Sequence, residues 1–131
     1  NINAIPTLEP AIEMLKLMKD KELLNAQEAV SQYLLHSLTS NPRIRLYGVP
    51  RGTETKIPLF SFSVEGAHHE DLALILDKMG IAVRSGQMCA EPLMDRFGVT
   101  GMLRASLAPY NTMEEAECFI KSLDKATAML V

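Results

Sequence analysis

The amino-acid sequence predicts an α+β fold: a small, mainly antiparallel sheet with helices packed on one face. Three observations lead there. Segments with apolar residues at spacings of three and four are interspersed with short segments that alternate every second residue. Glycine and proline punctuate the junctions. No period repeats along the chain, and 131 residues favour one domain.

Leu8, Ile12 and Leu15 share one helical stripe while Glu9, Glu13, Lys16 and Lys19 take the other faces, so a helix runs from about Thr7 to Lys19, with a break near Asp20–Lys21. Ala26, Val30, Tyr33, Leu34, Ser37 and Leu38 mark a second helix that ends before Asn41-Pro42, because proline cannot continue the ladder. Ile44–Tyr47 is a short strand and Gly48–Lys56 a loop. Pro58–Val64 is a strand with Phe60, Phe62 and Val64 on one side and Ser61 and Ser63 on the other.

Gly66 ends that strand. His68–Met79 is a helix stopped by Gly80, Ile81–Arg84 a strand, Ser85–Ala90 a loop, and Pro92 to about Phe97 a short helix. After a turn at Gly98–Gly101 comes a strand at Met102–Ala108. Thr112 and Glu115 stand at capping-box spacing before a final helix, whose buried stripe is Met113, Ala116, Phe119, Ile120 and Leu123. The order is α-α-β-β-α-β-α-β-α.

Hydrophobic residues make up 47% of the chain, enough for a core. The net charge of -3, with both signs mixed, argues against nucleic acid as the main partner. No apolar run approaches the ~20 residues of a membrane span, and no signal peptide is visible. The chain opens at Asn1, without Met, inside an apolar helical pattern, as a piece of a longer protein would, or a chain trimmed by processing or tag removal. Two cysteines, Cys89 and Cys118, form neither a disulfide framework nor a CxxC pair. A reducing, cytoplasmic setting and no zinc site follow as expectations, with one Cys89–Cys118 bridge left open. His68 and His69 are adjacent at a helix start, where capping or solvent exposure is the ordinary role and one shared metal is not expected.

The segment from Arg84 to Pro92 carries the chemical interest. A strand feeds a loop containing Gly86, then Cys89, then a helix begun by Pro92. A reactive cysteine needs its thiolate favoured, which a helix N-terminus and a nearby arginine both do. Against this stands the plain alternative that a free cysteine fills space; packing is the reading for Cys118, beside Phe119 and Ile120. Arg104 alternates with Leu103 and Ala105, so its guanidinium faces away from the core. There it could grip a carboxylate through two parallel hydrogen bonds or form a solvated surface ion pair.

Arg84-Ser85-Gly86-Gln87-Met88-Cys89-Ala90-Glu91-Pro92-Leu93 resembles the R-x-G-x-x-C-A-x-P-L segment of SUF-type cysteine desulfurases and selenocysteine lyases, in the class V aminotransferase family. Arg104-Ala105-Ser106-Leu107, followed by Tyr110-Asn111-Thr112 and Glu114-Glu115, is similar to a second segment of that family. Gly80 to Val83, Phe60-Ser61-Phe62, His68 and Asp71 fit as well. The resemblance implies the C-terminal small domain of a pyridoxal phosphate-dependent transferase of the aspartate aminotransferase-like fold. Residues 1–20 would then be a linking helix from a large cofactor-binding domain, and 21–131 the small domain.

By the same resemblance, Cys89 takes sulfur from L-cysteine as a persulfide with release of alanine, Arg104 grips the substrate carboxylate and Arg84 assists. A sulfur-acceptor protein, iron–sulfur cluster assembly and a homodimer are implied for the complete protein. Two features depart from the family pattern. Gln87 and Met88 stand where many members have two histidines, and neither transfers a proton at neutral pH. The seven lysines, at 16, 19, 21, 56, 78, 121 and 125, lack the histidine-lysine setting of the family's cofactor lysine, so the cofactor is expected in the large domain and the chain alone is expected to be inactive. Three other readings stay open: a selenocysteine lyase, a class V aminotransferase that does not use its cysteine, and a non-enzymatic α+β binding module.

Overall fold

The computed structural model describes residues 1–18, 21–48 and 57–131, with the backbone alone at residue 21. A 3-10 turn at Ile5–Thr7 leads into α1 (Leu8–Met18), followed by α2 (Lys21–Ser40), β1 (Ile44–Tyr47), β2 (Leu59–Val64), α3 (His69–Lys78), β3 (Arg84–Gly86), α4 (Glu91–Phe97), β4 (Met102–Ser106) and α5 (Met113–Leu130). The helix break at Asp20 and the loop expected from Gly48 to Lys56 lie, apart from Gly48, outside the described residues. Among the described residues no helix is long and apolar enough to cross a membrane.

The sheet has four strands in the order β1-β2-β4-β3, and every pairing is antiparallel. Phe60, Phe62 and Val64 of β2 and Leu103 and Ala105 of β4 point to one face, where they meet Leu34 of α2, Leu72 of α3 and Phe119 of α5. The rings of Phe62 and Phe119 meet edge-on at 6.3 Å. Burying each of these large side chains contributes about 1.5–3 kcal/mol, which makes this layer the main source of stability. The expected arrangement of helices on one face therefore describes α2, α3 and α5. The short α4 covers part of the opposite face, where Met94, Met102 and Tyr47 form a second buried cluster and the Tyr47 and Phe97 rings meet at a tilt, 4.9 Å apart.

Three strands differ from expectation in their limits; the one expected at Pro58–Val64 starts one residue later, at Leu59. The strand expected at Ile81–Arg84 pairs only from Arg84 to Gly86. The N–H of Ile81 is committed to the carbonyl of Leu76 at the end of α3, and the chain crosses from the helix layer before it reaches the sheet. Ile81 and Val83 still pack on the core. The last strand stops at Ser106 instead of Ala108, because the Ala108 N–H donates to Asn111 Oδ1 at 2.7 Å and turns the chain towards α5. That helix has the full capping box: Thr112 Oγ1 accepts from the Glu115 N–H, and the Glu115 carboxylate accepts from the Thr112 N–H at 3.0 Å.

α1 buries none of its residues. Its expected stripe of Leu8, Ile12 and Leu15 forms on a helix but stays 60%, 51% and 60% exposed.

His68 is the N-cap of α3, its Nδ1 accepting from the Glu70 N–H at 3.4 Å. His69 is half-buried and ties α3 to the turn before β4. A Cβ added at Gly101 would collide with its Nε2, so glycine leaves the room that this ring position needs. Its Nδ1 is enclosed with no hydrogen-bond partner. Burial pushes the His69 pKa below its usual 6.5, neighbouring His68 acts in the same direction, and Glu70 and Asp71 oppose them. The unfolded chain therefore takes up the proton first. Stability from neutral His69 is complete above pH 6.5 and drains as the pH falls from 6.5 towards the lower folded value. The midpoint of urea unfolding is expected to fall across that window, and to fall less in His69→Gln; equal pH dependence in the two proteins would contradict the assignment.

Candidate functional site

The antiparallel registers build a row of side chains across the helix-free part of the sheet. Tyr47 lies opposite Ser61, Ser61 opposite Arg104, and Arg104 opposite Arg84. Directly opposed residues of an antiparallel pair share a face, so the row is fixed by backbone hydrogen bonds. Arg45, two residues before Tyr47, lies on the same face with its guanidinium 5.0 Å over the Tyr47 ring. Three guanidinium groups thus stand on one face. Like charges directly opposite each other are unfavourable, and an anion beside the Arg84–Arg104 pair would offset that repulsion.

Arg104 is half-buried and its Nε is fully enclosed with no hydrogen-bond partner. Among the described residues the ion pairs are Lys16–Glu13 and Lys121–Glu117, so no described carboxylate neutralises Arg104 or Arg84. The surface ion pair considered for Arg104 is absent among these residues. Arg104 and Ser61 belong to a cleft of about 470 Å³ whose walls include Leu59, Met88, Phe97 and Met102. An enclosed cation in an apolar cleft suits a small molecule with a carboxylate at one end, because a charged hydrogen bond there contributes about 1.5–3 kcal/mol.

β3 delivers the thiol to this cleft's rim. After Gly86, with φ of 105°, Met88 and Cys89 take left-handed backbone angles of 56° and 60°. The Ala90 N–H closes the turn on the Gln87 carbonyl at 3.0 Å. α4 begins at Glu91, one residue before the expected Pro92, with the proline inside the first turn where its missing N–H costs nothing. Met88 and Ala90 line the cleft, whereas Cys89 between them is an exposed free thiol.

The three residues singled out in the sequence are thus gathered on one region: Arg84 and Arg104 as cross-strand partners, and Cys89 three residues beyond the end of β3. Cys118 is also a free, exposed thiol, contrary to the packing expected for it; it lies on α5, no Cys89–Cys118 bridge exists, and Phe119 beside it takes the buried position. No group of three metal-ligating side chains occurs among the described residues. Sequence reasoning missed the part of Met88 in the wall and of Tyr47 in the row. The face parity of Ser61 was legible, but the register that joins it to Arg104 was not.

Replacing Arg104 by Met keeps the length of the side chain and removes a half-buried cation whose enclosed Nε has no partner. Arg104→Met is expected to be neutral or stabilising in denaturant unfolding, within about 1 kcal/mol of the parent or above it. A loss of more than about 2 kcal/mol would show a structural role for the guanidinium instead.

The chain is similar to known proteins in sequence and in fold. The family model described as aminotransferase class-V matches residues 1–119. A probable cysteine desulfurase of Xylella fastidiosa (strain 9a5c) is 38% identical over 130 residues, which cover 99% of this chain and 30% of that protein. The cysteine desulfurase CsdA of Escherichia coli (strain K12) is 47% identical over 73 residues, 56% of this chain and 18% of its own length. The crystal structure of Escherichia coli CsdA in an S-sulfonic acid form superposes with a TM-score of 0.75 and 32% identity, covering 89% of this chain and 29% of that one. The chain spans about 30% of the length of the curated relatives it matches over nearly its whole extent.

Proposed function

Because the chain belongs to the aminotransferase class-V family, we propose that it is the small C-terminal domain of a SUF-type cysteine desulfurase, in which Arg104 holds the carboxylate of L-cysteine and Cys89 accepts its sulfur. The observation that carries this is the enclosed, unpartnered Nε of Arg104 in a cleft shared with the residues on either side of Cys89. A carboxylate completes the hydrogen bonding of that guanidinium. Arg84, its exposed cross-strand neighbour, adds positive charge on the same face.

Residues 1–20 are, in this proposal, the linking helix from a large domain, and residues 21–131 the small domain. The bare apolar stripe of α1 supports the division, since amphipathic helices ordinarily pack that stripe against another surface.

Pyridoxal phosphate would supply the electron withdrawal that loosens the carbon–sulfur bond of the substrate. Among the described residues no lysine lines the cleft, so these residues alone do not fit a Schiff-base holder for it; its site is assigned to the large domain. The side chains of this chain do the rest: Arg104 orients the substrate, and Cys89 receives sulfur as a persulfide while alanine leaves. Gln87 and Met88 carry no group that moves a proton at neutral pH, so the thiol proton of Cys89 leaves to the water that already reaches it. The same exposure lets a separate acceptor protein collect the sulfur, for iron–sulfur cluster assembly by a cytoplasmic homodimer.

In the complete protein, Cys89→Ser is expected to reduce alanine release from L-cysteine by at least about a hundredfold, as removal of a nucleophile does, while Cys118→Ser stays near the parent rate. Undiminished turnover in Cys89→Ser would mean an aminotransferase-family activity that bypasses the thiol.

A further inference from the structure

We infer, resting on the proposed role of Arg104, that Met88 is the residue that sets the size of the amino-acid side chain admitted to the cleft. Met88 and Cys89 are the non-glycine residues with left-handed backbone among those described. Such angles are disfavoured for L-residues, and two in succession need a firm frame. The frame is present: the Ala90 N–H bonds the Gln87 carbonyl at 3.0 Å, and Ala90 packs against the buried Tyr47, Met94 and Met102 cluster.

The consequence is directional. The turn sends the side chains of residues 88 and 90 into the cleft and leaves Cys89 in solvent. Met88 therefore occupies part of the same cavity as the Arg104 guanidinium.

Leu93 also lines the cleft but is 46% exposed, and three other walls are fixed. Met102 is only 2% exposed and Phe97 is held by its tilted ring contact with Tyr47. Leu59 is paired in the sheet opposite Ser106. Met88 is half-buried, unbranched and carried by a loop. With the ligand's carboxylate fixed on Arg104, the room left for its side chain is bounded by the thioether of Met88. Apolar walls of this kind discriminate by about 10–200-fold per methylene.

The test uses the complete protein and the unreactive straight-chain amino acids L-alanine, L-norvaline and L-norleucine, with dissociation constants from calorimetry. The parent is expected to bind L-norleucine at least about tenfold more weakly than L-alanine. Met88→Ala should remove that difference and leave L-alanine affinity within about threefold. Met88→Leu should keep the parental order. Met88→Gly, which adopts left-handed angles without cost, should match Met88→Ala and covers the case in which the alanine variant folds poorly. Arg104→Ala should weaken all three ligands by at least about tenfold. A parent indifferent to length, or an unchanged length dependence in Met88→Ala and Met88→Gly, would overturn the role of Met88 and leave that of Arg104 standing. Unchanged affinities in Arg104→Ala would overturn the carboxylate site and the role of Met88 with it.

Discussion

The register of β4 against its two neighbours is the constraint on which the rest of the structure depends. Side chains alternate along a strand, so a slip of one residue would drive Arg104 into the layer where Leu103 is 0% exposed and would bring Leu103 to the polar side. Phe60, Phe62, Leu103 and Ala105 prevent the slip because their burial requires the observed pairing. An apolar layer on one face thereby positions a polar row on the other. The same register brings Arg84 opposite Arg104, an arrangement that weakens the empty protein and favours an anion.

Much of this was legible in the sequence because it is written in local periodicity. α2, α3 and α5 each carry an apolar stripe long enough to show its period, and the Thr112–Glu115 spacing marked the start of the last helix correctly. The division of β2 into Phe60, Phe62 and Val64 against Ser61 and Ser63 is a two-residue alternation that any register preserves. Cys89 and Arg104 stood out by chemical type and by their motifs.

What stayed illegible depends on contacts distant in sequence or on backbone angles that no residue type announces. α4 is too short to show which face of the sheet it covers, and its place followed only from the packing of Met94 with Tyr47 and Met102. The start of β3 depends on where the Ile81 N–H goes, not on its alternation. Nothing in the residues Met88 and Cys89 signals left-handed backbone, since glycine is the usual marker and here stands at Gly86. Cys118 was misread because its neighbours are apolar, although adjacent helical positions point about 100° apart.

In the proposed site the Arg104 Nε–H, which has no partner within the chain, gains one from the substrate carboxylate. The direct test of this central claim is the 15N Nε–Hε resonance of Arg104 in the complete protein, assigned by loss in Arg104→Lys and followed while L-alanine is added. The account predicts a downfield proton shift and slower exchange with water as the ligand saturates. A resonance that keeps its shift and exchange rate at saturation would contradict it.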